Sequence, residues 1–204
     1  MRMLLATIIF VLTTMPVRAC DLALSLIVDV SGSVDSREYR VQMDGLAEAL
    51  KDGIVSEALV QANAMVNLIQ WSGTSRQAVT IPWVEINGFD DIDQFAARVA
   101  TDPRQWRNFS TAIGEALSAS LETMADVRHC TRRVIDVSGD GISNEGRPPL
   151  EMHKALRAAG ILVNAVVIET DEEDLTAYFW ENVITGEEAF VVTAAGFDAY
   201  PAAI

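Results

Sequence analysis

The feature that most constrains the fold is the alternation, along the whole chain, of strand-length apolar runs with stretches of helical periodicity. Residues 22–28 (LALSLIV) are mostly apolar, which is typical of a strand buried on both faces. Residues 36–51 then show apolar positions at helical spacing, and Asp35 and Glu38 are placed as a capping box at the start of that helix. Strands that alternate with helices form a mostly parallel sheet covered on both faces. The sequence therefore predicts a doubly wound, three-layer α/β fold.

The full pattern predicts six strands. The second and third are separated by the short turn at residues 72–75 (SGTS), so we expect a hairpin that adds one antiparallel edge strand. Right-handed crossovers then give the strand order 3-2-1-4-5-6, with strands one and four side by side at the switch point. The predicted strands are residues 22–28, 64–71, 77–84, 133–137, 161–168 and 189–193. The predicted helices are residues 36–51 (with Gly53 as the stop), 91–100, 111–125, 149–159 and 171–182, with a final helix beginning in the last residues.

Two of the predicted strands lead into carboxylates. Asp29 directly follows the first strand, and Asp140 follows the fourth. Because open parallel sheets bind ligands at the carboxyl ends of their strands, next to the switch point, we expect these two side chains to converge. Ser31 and Ser33 lie in the loop after Asp29, and Thr111 lies in a loop that enters a helix. All three hydroxyl groups can therefore face the same crevice.

Three hydroxyls and two carboxylates make a donor set composed entirely of oxygen. Such a set suits Mg²⁺, Ca²⁺ or Mn²⁺ and argues against zinc or copper. Hydroxyl groups alone bind cations weakly, so the two carboxylates must supply the negative charge. We therefore expect a divalent cation, Mg²⁺ in the first place, at this end of the sheet.

Three motifs at these strand ends resemble the metal-ion-dependent adhesion site of von Willebrand factor A-like (vWA) domains. Residues 29–33 (DVSGS) match the D-x-S-x-S signature, residues 111–114 (TAIG) resemble the T-x-x-G loop, and residues 138–141 (SGDG) resemble the T-D-G segment. The resemblance covers about residues 21–200. It implies that Ser31, Ser33 and Thr111 ligate the cation directly, and that Asp29 and Asp140 bind it directly or through water.

Two longer phrases, VDVSGSVDSREY and RRVIDVSGDGISNEG, resemble more narrowly an uncharacterised family of exported bacterial vWA-like proteins. The resemblance implies a non-enzymatic binding module in which an Asp or Glu of a protein partner completes the coordination of the cation. Trp106 and Arg107 precede the Thr111 loop and are candidates for the rim that the partner contacts.

Two other functions stay open at this point. The first is a metal-dependent, phosphatase-like hydrolase with Asp29 as nucleophile or base. The sequence has no G-x-S-x-G elbow, no Walker loop and no histidine next to the three motifs, which argues against this function. The second is a purely structural ion site, in which the metal only fixes three loops.

The two cysteines, Cys20 and Cys130, each lie just before a predicted strand, and the two strands are expected to be neighbours. Adjacent strands are about 4.8 Å apart, which lies within the Cα separation that a disulfide tolerates. We therefore expect a disulfide. The alternative is lipid attachment to Cys20 after signal cleavage.

The first 19 residues are typical of a secretory signal. They combine Arg2, a short apolar run at residues 4–12 and small residues at positions 17–19 (VRA). We expect a single exported domain over residues 20–204 that is periplasmic or secreted, without an integral membrane segment. The net charge of −14 argues against binding to nucleic acid or to anionic lipid.

Asp136 interrupts the fourth predicted strand, which is otherwise apolar. We expect a buried carboxylate that is neutralised by Arg132, Arg133 or backbone donors. The alternative is a second acid behind the metal ligands.

Overall fold

A computed structural model describes residues 19–170 and 174–204 of the chain. The predicted signal segment lies outside the described residues except for Ala19, as do residues 171–173 at the start of the fifth predicted helix. The strands are β1 (Leu22–Asp29), β2 (Met65–Trp71), β3 (Gln77–Glu85), β4 (Arg132–Gly139), β5 (Ile161–Glu169) and β6 (Val191–Ala195). The helices are α1 (Ser36–Leu50), α2 (Gly53–Gln61), α3 (Phe89–Thr101), α4 (Ile113–Thr123), α5 (His153–Ala158), α6 (Leu175–Asn182) and α7 (Tyr200–Ala203).

The six strands form one sheet in the order β3-β2-β1-β4-β5-β6. β3 runs antiparallel to β2, and the other neighbouring pairs are parallel. This confirms the predicted fold class and strand order. It also confirms that β1 and β4 are neighbours, so their carboxyl ends lie together at the switch point.

Alternate side chains of the central strands pack into two hydrophobic cores, one on each face of the sheet. In β1, Leu26 and Val28 point into the core beneath α1 and α3, and Ala23 and Ile27 point into the core beneath α4 and α6. Each fully buried side chain of this size stabilises the fold by about 1.5–3 kcal/mol relative to its exposed state. Because both faces of β1 are covered, its carboxyl end is held rigidly.

The capping box predicted at the start of α1 is present. The Asp35 side chain accepts hydrogen bonds from the backbone nitrogens of Arg37 and Glu38, and the Asp35 nitrogen donates to Glu38 Oε2 over 2.6 Å. A cap of this kind contributes about 1 kcal/mol. It also fixes the point at which the loop that follows β1 enters the helix.

Several predicted boundaries were wrong, including those at α2, α4 and β6. Gly53 begins the additional helix α2 instead of only ending α1, because Asp52 caps the backbone nitrogens of Ile54 and Val55. The helix predicted from residue 111 begins at Ile113, since the preceding loop is held extended by bonds to other loops. The last strand is Val191–Ala195, two residues later than predicted.

Cys20 and Cys130 form a disulfide with a Cα–Cα distance of 4.5 Å, as predicted. Backbone bonds from Thr131 to Cys20 and from Arg132 to Asp21 align the two segments. The Cys20 sulfur that lipid attachment would require is used in this bond. Among the described residues, the helices are too short and too polar for any of them to cross a bilayer.

Candidate metal centre

The loop after β1 is fixed by backbone hydrogen bonds to the end of β2 and to the loop before α4. The Val30 nitrogen donates to the Trp71 carbonyl over 2.9 Å, and the Gly32 nitrogen donates to the Phe109 carbonyl over 2.8 Å. Arg104 donates from Nη2 to the carbonyl oxygens of Val30 and Ser31, over 3.0 and 2.8 Å. The backbone on both sides of Ser31 is therefore positioned before any ligand binds.

The loop that carries Thr111 is fastened to the loop after β4. The Thr111 nitrogen donates to Asn144 Oδ1 over 3.0 Å, and the Asn144 nitrogen donates back to the Thr111 carbonyl over 2.9 Å. The Ser143 hydroxyl accepts from the nitrogen of Ile113, the first residue of α4. These reciprocal bonds keep Thr111 extended and place its hydroxyl beside the end of β1.

The structure brings together the five residues that the sequence singled out. Thr111 Oγ1 donates to Ser31 Oγ over 3.3 Å, and Ser31 Oγ lies 3.2 Å from Ser33 Oγ. Ser33 Oγ donates to Asp140 Oδ1 over 2.7 Å, and the Ser31 nitrogen donates to Asp29 Oδ1 over 2.7 Å. Three distant parts of the chain thus form one continuous cluster of oxygen atoms.

Solvent exposure increases across the cluster, from a buried base to an open mouth. Asp29 and Ser31 are fully buried, and Thr111 is 6 % exposed. Asp140 is half-buried, and Ser33 is exposed to solvent. A small ion can therefore reach the cluster from the side of Ser33, while its charge is met by the buried carboxylate below.

Two acids with raised pKa values dominate the electrostatics of this cluster. Burial, followed by repulsion from Asp140, raises the pKa of Asp29 to about 8, against the bonds from Ser31 and the nearby Arg104. Burial also raises the pKa of Asp140. Asp29 Oδ2 is buried and has no hydrogen-bond partner among the described residues. An orphaned buried carboxylate oxygen is costly, and a divalent cation is the kind of group that would satisfy it.

Gly139, the last residue of β4, leaves room at the base of the cluster. A Cβ atom at this position would lie 3.4 Å from Asp29 Oδ2 and 3.5 Å from the Trp71 ring. A longer side chain would therefore occupy the space in front of the orphaned oxygen. The oxygen donors and this space fit a small, hard cation.

Exposed side chains surround the mouth. Phe109 and Ile142 are 40 % and 55 % exposed, and the Arg76 guanidinium lies 3.6 Å from the centroid of the Phe109 ring. Of the two predicted rim residues, Arg107 is exposed, and Trp106 is half-buried against the core beneath α1. The contact of either residue with a partner stays a prediction.

Sequence reasoning missed the residues that position the cluster. These residues are Arg104, Ser143 and Asn144. Their bonds join loops that are far apart in the chain, so no local pattern reports them. Phe109, an apolar residue two positions before Thr111 in an otherwise polar stretch, is a signal that the sequence does contain.

Asp136 is neutralised differently from the prediction. Its Oδ1 accepts a hydrogen bond from Asn164 Nδ2 on β5 over 2.9 Å, and no ion pair with Arg132 or Arg133 is present among the described residues. Burial raises the pKa of this carboxyl. Asp136, on β4, lies opposite Leu26 on the neighbouring strand β1. It is therefore away from the carboxyl ends of these strands, where the cluster lies.

One further group of potential ligands occurs among residues 19–170 and 174–204. Cys20, His129 and Cys130 lie within metal-binding range of one another. Both sulfur atoms are joined in the disulfide, so this group offers no thiolate to a metal.

The sheet order, the antiparallel edge strand and the three loops at the switch point define a vWA-like domain. The chain matches the model of one family over residues 19–204, described as "Protein of unknown function (DUF1194)". The chain belongs to that family. No curated protein is similar enough in sequence to count as a match.

Solved structures show the same fold at low sequence identity. Proximal thread matrix protein 1 (PTMP1) from the mussel byssus has a TM-score of 0.70 at 18% identity, covering 90% of this chain and 46% of that chain. The pilus adhesin SpaC from Lactobacillus rhamnosus GG has a TM-score of 0.65 at 14% identity, covering 89% and 29%. A von Willebrand factor type A protein from Catenulispora acidiphila has a TM-score of 0.64 at 15% identity, covering 89% and 40%.

The chain therefore spans less than half the length of each of these proteins. Another structure of PTMP1 has a zinc-occupied metal-ion-dependent adhesion site.

Proposed function

We propose that this chain is a non-enzymatic binding module that captures a protein partner through a divalent cation. The cation would be held by Asp29, Ser31, Ser33, Thr111 and Asp140. The observation that carries the proposal is the unpaired, fully buried Asp29 Oδ2 at the base of an oxygen cluster that opens to solvent. A protein that leaves a carboxylate oxygen unpaired at such a place bears an energetic cost that a bound cation removes.

Each residue has a distinct task in this proposal. Asp29 supplies negative charge at the buried base, and Asp140 supplies it near the mouth. Ser31, Ser33 and Thr111 offer neutral oxygens that already lie within hydrogen-bond distance of one another. Arg104 holds the backbone on both sides of Ser31. When bound, the cation would provide an electrophilic position for a carboxylate of the partner.

The donors favour Mg²⁺, with Ca²⁺ or Mn²⁺ as alternatives. All five side chains coordinate through oxygen, and hard oxygen donors suit these ions better than they suit zinc. The zinc found in the mussel PTMP1 site makes zinc a necessary member of any ion panel. Affinities across that panel, compared with the ion content of protein purified without added metal, identify the resident ion.

The surroundings of the cluster suit a partner that combines acidic and apolar groups. Phe109 and Ile142 are exposed beside the mouth. Arg107, together with Arg40 and Arg104, lines a neighbouring cavity of about 420 Å³. A partner segment that places one Asp or Glu on the cation would bring its neighbouring side chains against these groups. We propose Arg107 and Trp106 as parts of this rim.

The positions of the histidines support a binding role over hydrolysis. His129 lies beside the disulfide, at the edge of the sheet opposite the cluster. His153 is buried next to the backbone of Asn182 and Val183. Neither side chain is among the hydrogen-bond partners of the cluster, so neither is placed to act there as a general base.

The proposal places the protein outside the cytoplasm, in the periplasm or secreted. The disulfide supports an oxidising compartment, and the proposed signal segment at residues 1–19 supports export. The mature protein would then be the domain over residues 20–204.

The test is capture of a partner from a native cell-envelope extract on immobilised protein, with Mg²⁺ or with excess chelator. We expect a Mg²⁺-dependent partner that is lost in the variant Asp140→Asn. The matched control is Asp136→Asn, which removes a carboxyl group on β4, the strand that leads to Asp140, outside the cluster. Capture that persists in chelator, or that survives Asp140→Asn, would contradict the proposal.

A further inference from the structure

We propose that a second site, at the opposite edge of the sheet, binds a ligand that carries a carboxylate or phosphate on a small apolar body. A cavity of about 790 Å³ opens where β4 and β5 begin. Arg132, Arg133 and Arg157 line it with polar groups, and Val134 and Leu162 are among its apolar lining residues.

This cavity is independent of the candidate metal centre. β4 begins at Arg132, beside the cavity, and ends at Gly139, beside Asp29. At about 3.3 Å per residue, the strand separates the two places by roughly 20 Å. A ligand can therefore occupy the cavity whether or not a cation is bound at the other edge.

Two of the three arginines are held by hydrogen bonds to uncharged groups, and none of the three is neutralised by an acid. Arg133 donates from Nη2 to the Ala159 carbonyl, and its Nε is buried with no hydrogen-bond partner among the described residues. Arg157 Nε donates to Thr185 Oγ1 over 2.7 Å. The Arg132 side chain is exposed and makes no hydrogen bond with the described residues. None of the three lies within ion-pair distance of a described carboxylate.

Among the described residues, three arginines form ion pairs, Arg37 with Asp198, Arg40 with Asp44 and Arg147 with Glu115. The arginines of the cavity are not among them, so their guanidinium groups are not committed to an acid of the chain. Three guanidinium groups around one cavity offer several N–H donors in the planar geometry that carboxylate and phosphate accept. The cavity thus presents the charge and donors that such an anion needs.

The walls limit what kind of anion fits. Gly186, at a φ of +123°, brings its loop so close to Leu162 that a Cβ would collide with that side chain, which makes the apolar wall continuous with the loop. Glu187 and Glu188 also line the cavity and are exposed. With two carboxylates beside three guanidinium groups, the charged side chains that line the cavity have a small net positive charge. A compact ligand with one acidic group fits this charge better than a polyanion does.

The test is a titration followed by backbone amide NMR, with the full domain in chelator so that the metal centre has no part. The probes are hexanoate and hexyl phosphate, which separate carboxylate from phosphate recognition, and hexylammonium as the probe of opposite charge. We expect saturable shifts at Gly160, Leu162 and Gly186 with at least one anion and none with hexylammonium.

The variants address the arginines individually. We expect Arg132→Gln and Arg157→Gln each to weaken binding of the anion at least tenfold, and Arg132→Lys to lose less than Arg132→Gln. Because the Arg132 side chain has no bond to lose, its variants report on binding rather than on folding. The control is Arg98→Gln, on the exposed side of α3, which should leave binding unchanged.

Three results would overturn the proposal. The first is the absence of saturable shifts with both anions. In that case the aliphatic parts of the arginine side chains would only pack over the apolar edge of the sheet, with their guanidinium groups in solvent. The second is an equal response to hexylammonium. The third is an equal loss of binding in Arg98→Gln.

Discussion

In the metal-free protein, replacing Asp29 with Asn should stabilise the fold at neutral pH, although it removes a side chain of the candidate metal centre. The Asp29 carboxyl is fully buried, and its pKa is raised to about 8 from 3.8, first by burial and then by Asp140. A raised carboxyl pKa means that the folded state binds a proton that the unfolded state has released. Stability is therefore greatest below the unfolded pKa and falls as the pH rises toward about 8.

The expected magnitude follows from this shift. Each pKa unit corresponds to about 1.4 kcal/mol, so keeping Asp29 protonated in the folded state near pH 7.5, where the unfolded chain has released this proton, costs on the order of several kcal/mol. Asn avoids this cost and can still accept the bond from the Ser31 nitrogen. Its amide nitrogen would replace the unpaired Oδ2 and cost about 1–3 kcal/mol as an unsatisfied donor. We expect a net gain of about 1–4 kcal/mol at pH 7.5.

The assay is urea unfolding of chelator-treated protein at pH 7.5 and at pH 4.5. At pH 4.5 the folded wild type keeps its proton, so the Asn variant should be no more stable than the wild type. The control is Asp126→Asn, at an exposed position, which should change neither value by more than about 0.5 kcal/mol. A variant that is destabilised by the same amount at both pH values would refute the reasoning.

Three further predictions follow from other contacts. The pair Cys20→Ala and Cys130→Ala should lower the free energy of unfolding by about 2–5 kcal/mol in denaturant titrations, because the disulfide closes a segment with a separation of 110 residues. Stability equal to that of the wild type would show that this bond does not form in solution. Gly114→Ala should destabilise the protein by about 1–3 kcal/mol in the same assay, since its Cβ would collide with the Arg147 backbone. A neutral result would mean that the loop before α5 moves freely. Phe109→Ser should weaken partner capture while leaving cation affinity within about twofold, and a matched loss of both would place Phe109 in the support of the metal loops.

The sequence predicted the sheet well because its signals are local. Apolar runs of strand length, and helical spacing between them, determine which segments pair, and the handedness of crossovers leaves few topologies. The positions of Asp29 and Asp140 followed from the same rule, because both lie at the carboxyl ends of neighbouring parallel strands. The disulfide followed because each cysteine precedes one of those two strands.

The errors arose where a distant contact or an overlapping signal decided the structure. α2 was missed because Gly53 resembles a helix stop, whereas the Asp52 side chain caps a new helix there. Thr111 was expected in the loop that enters a helix, but that helix was drawn from residue 111, and the bonds between Thr111 and Asn144 keep Thr111 in the loop, so that α4 begins at Ile113. The role of Arg104 depends on carbonyl groups in the loop after β1, which no pattern around residue 104 reveals.

The most direct test of the account is calorimetric titration of the chelator-treated protein with Mg²⁺, and with Ca²⁺, Mn²⁺ and Zn²⁺ for comparison. One divalent ion should bind per chain. Thr111→Val, which removes the hydroxyl and keeps the side-chain shape, should lose at least tenfold in affinity, and the exposed control Thr101→Val should show no change. Absence of saturable binding with all four ions, or equal affinity in the wild type and Thr111→Val, would contradict the account.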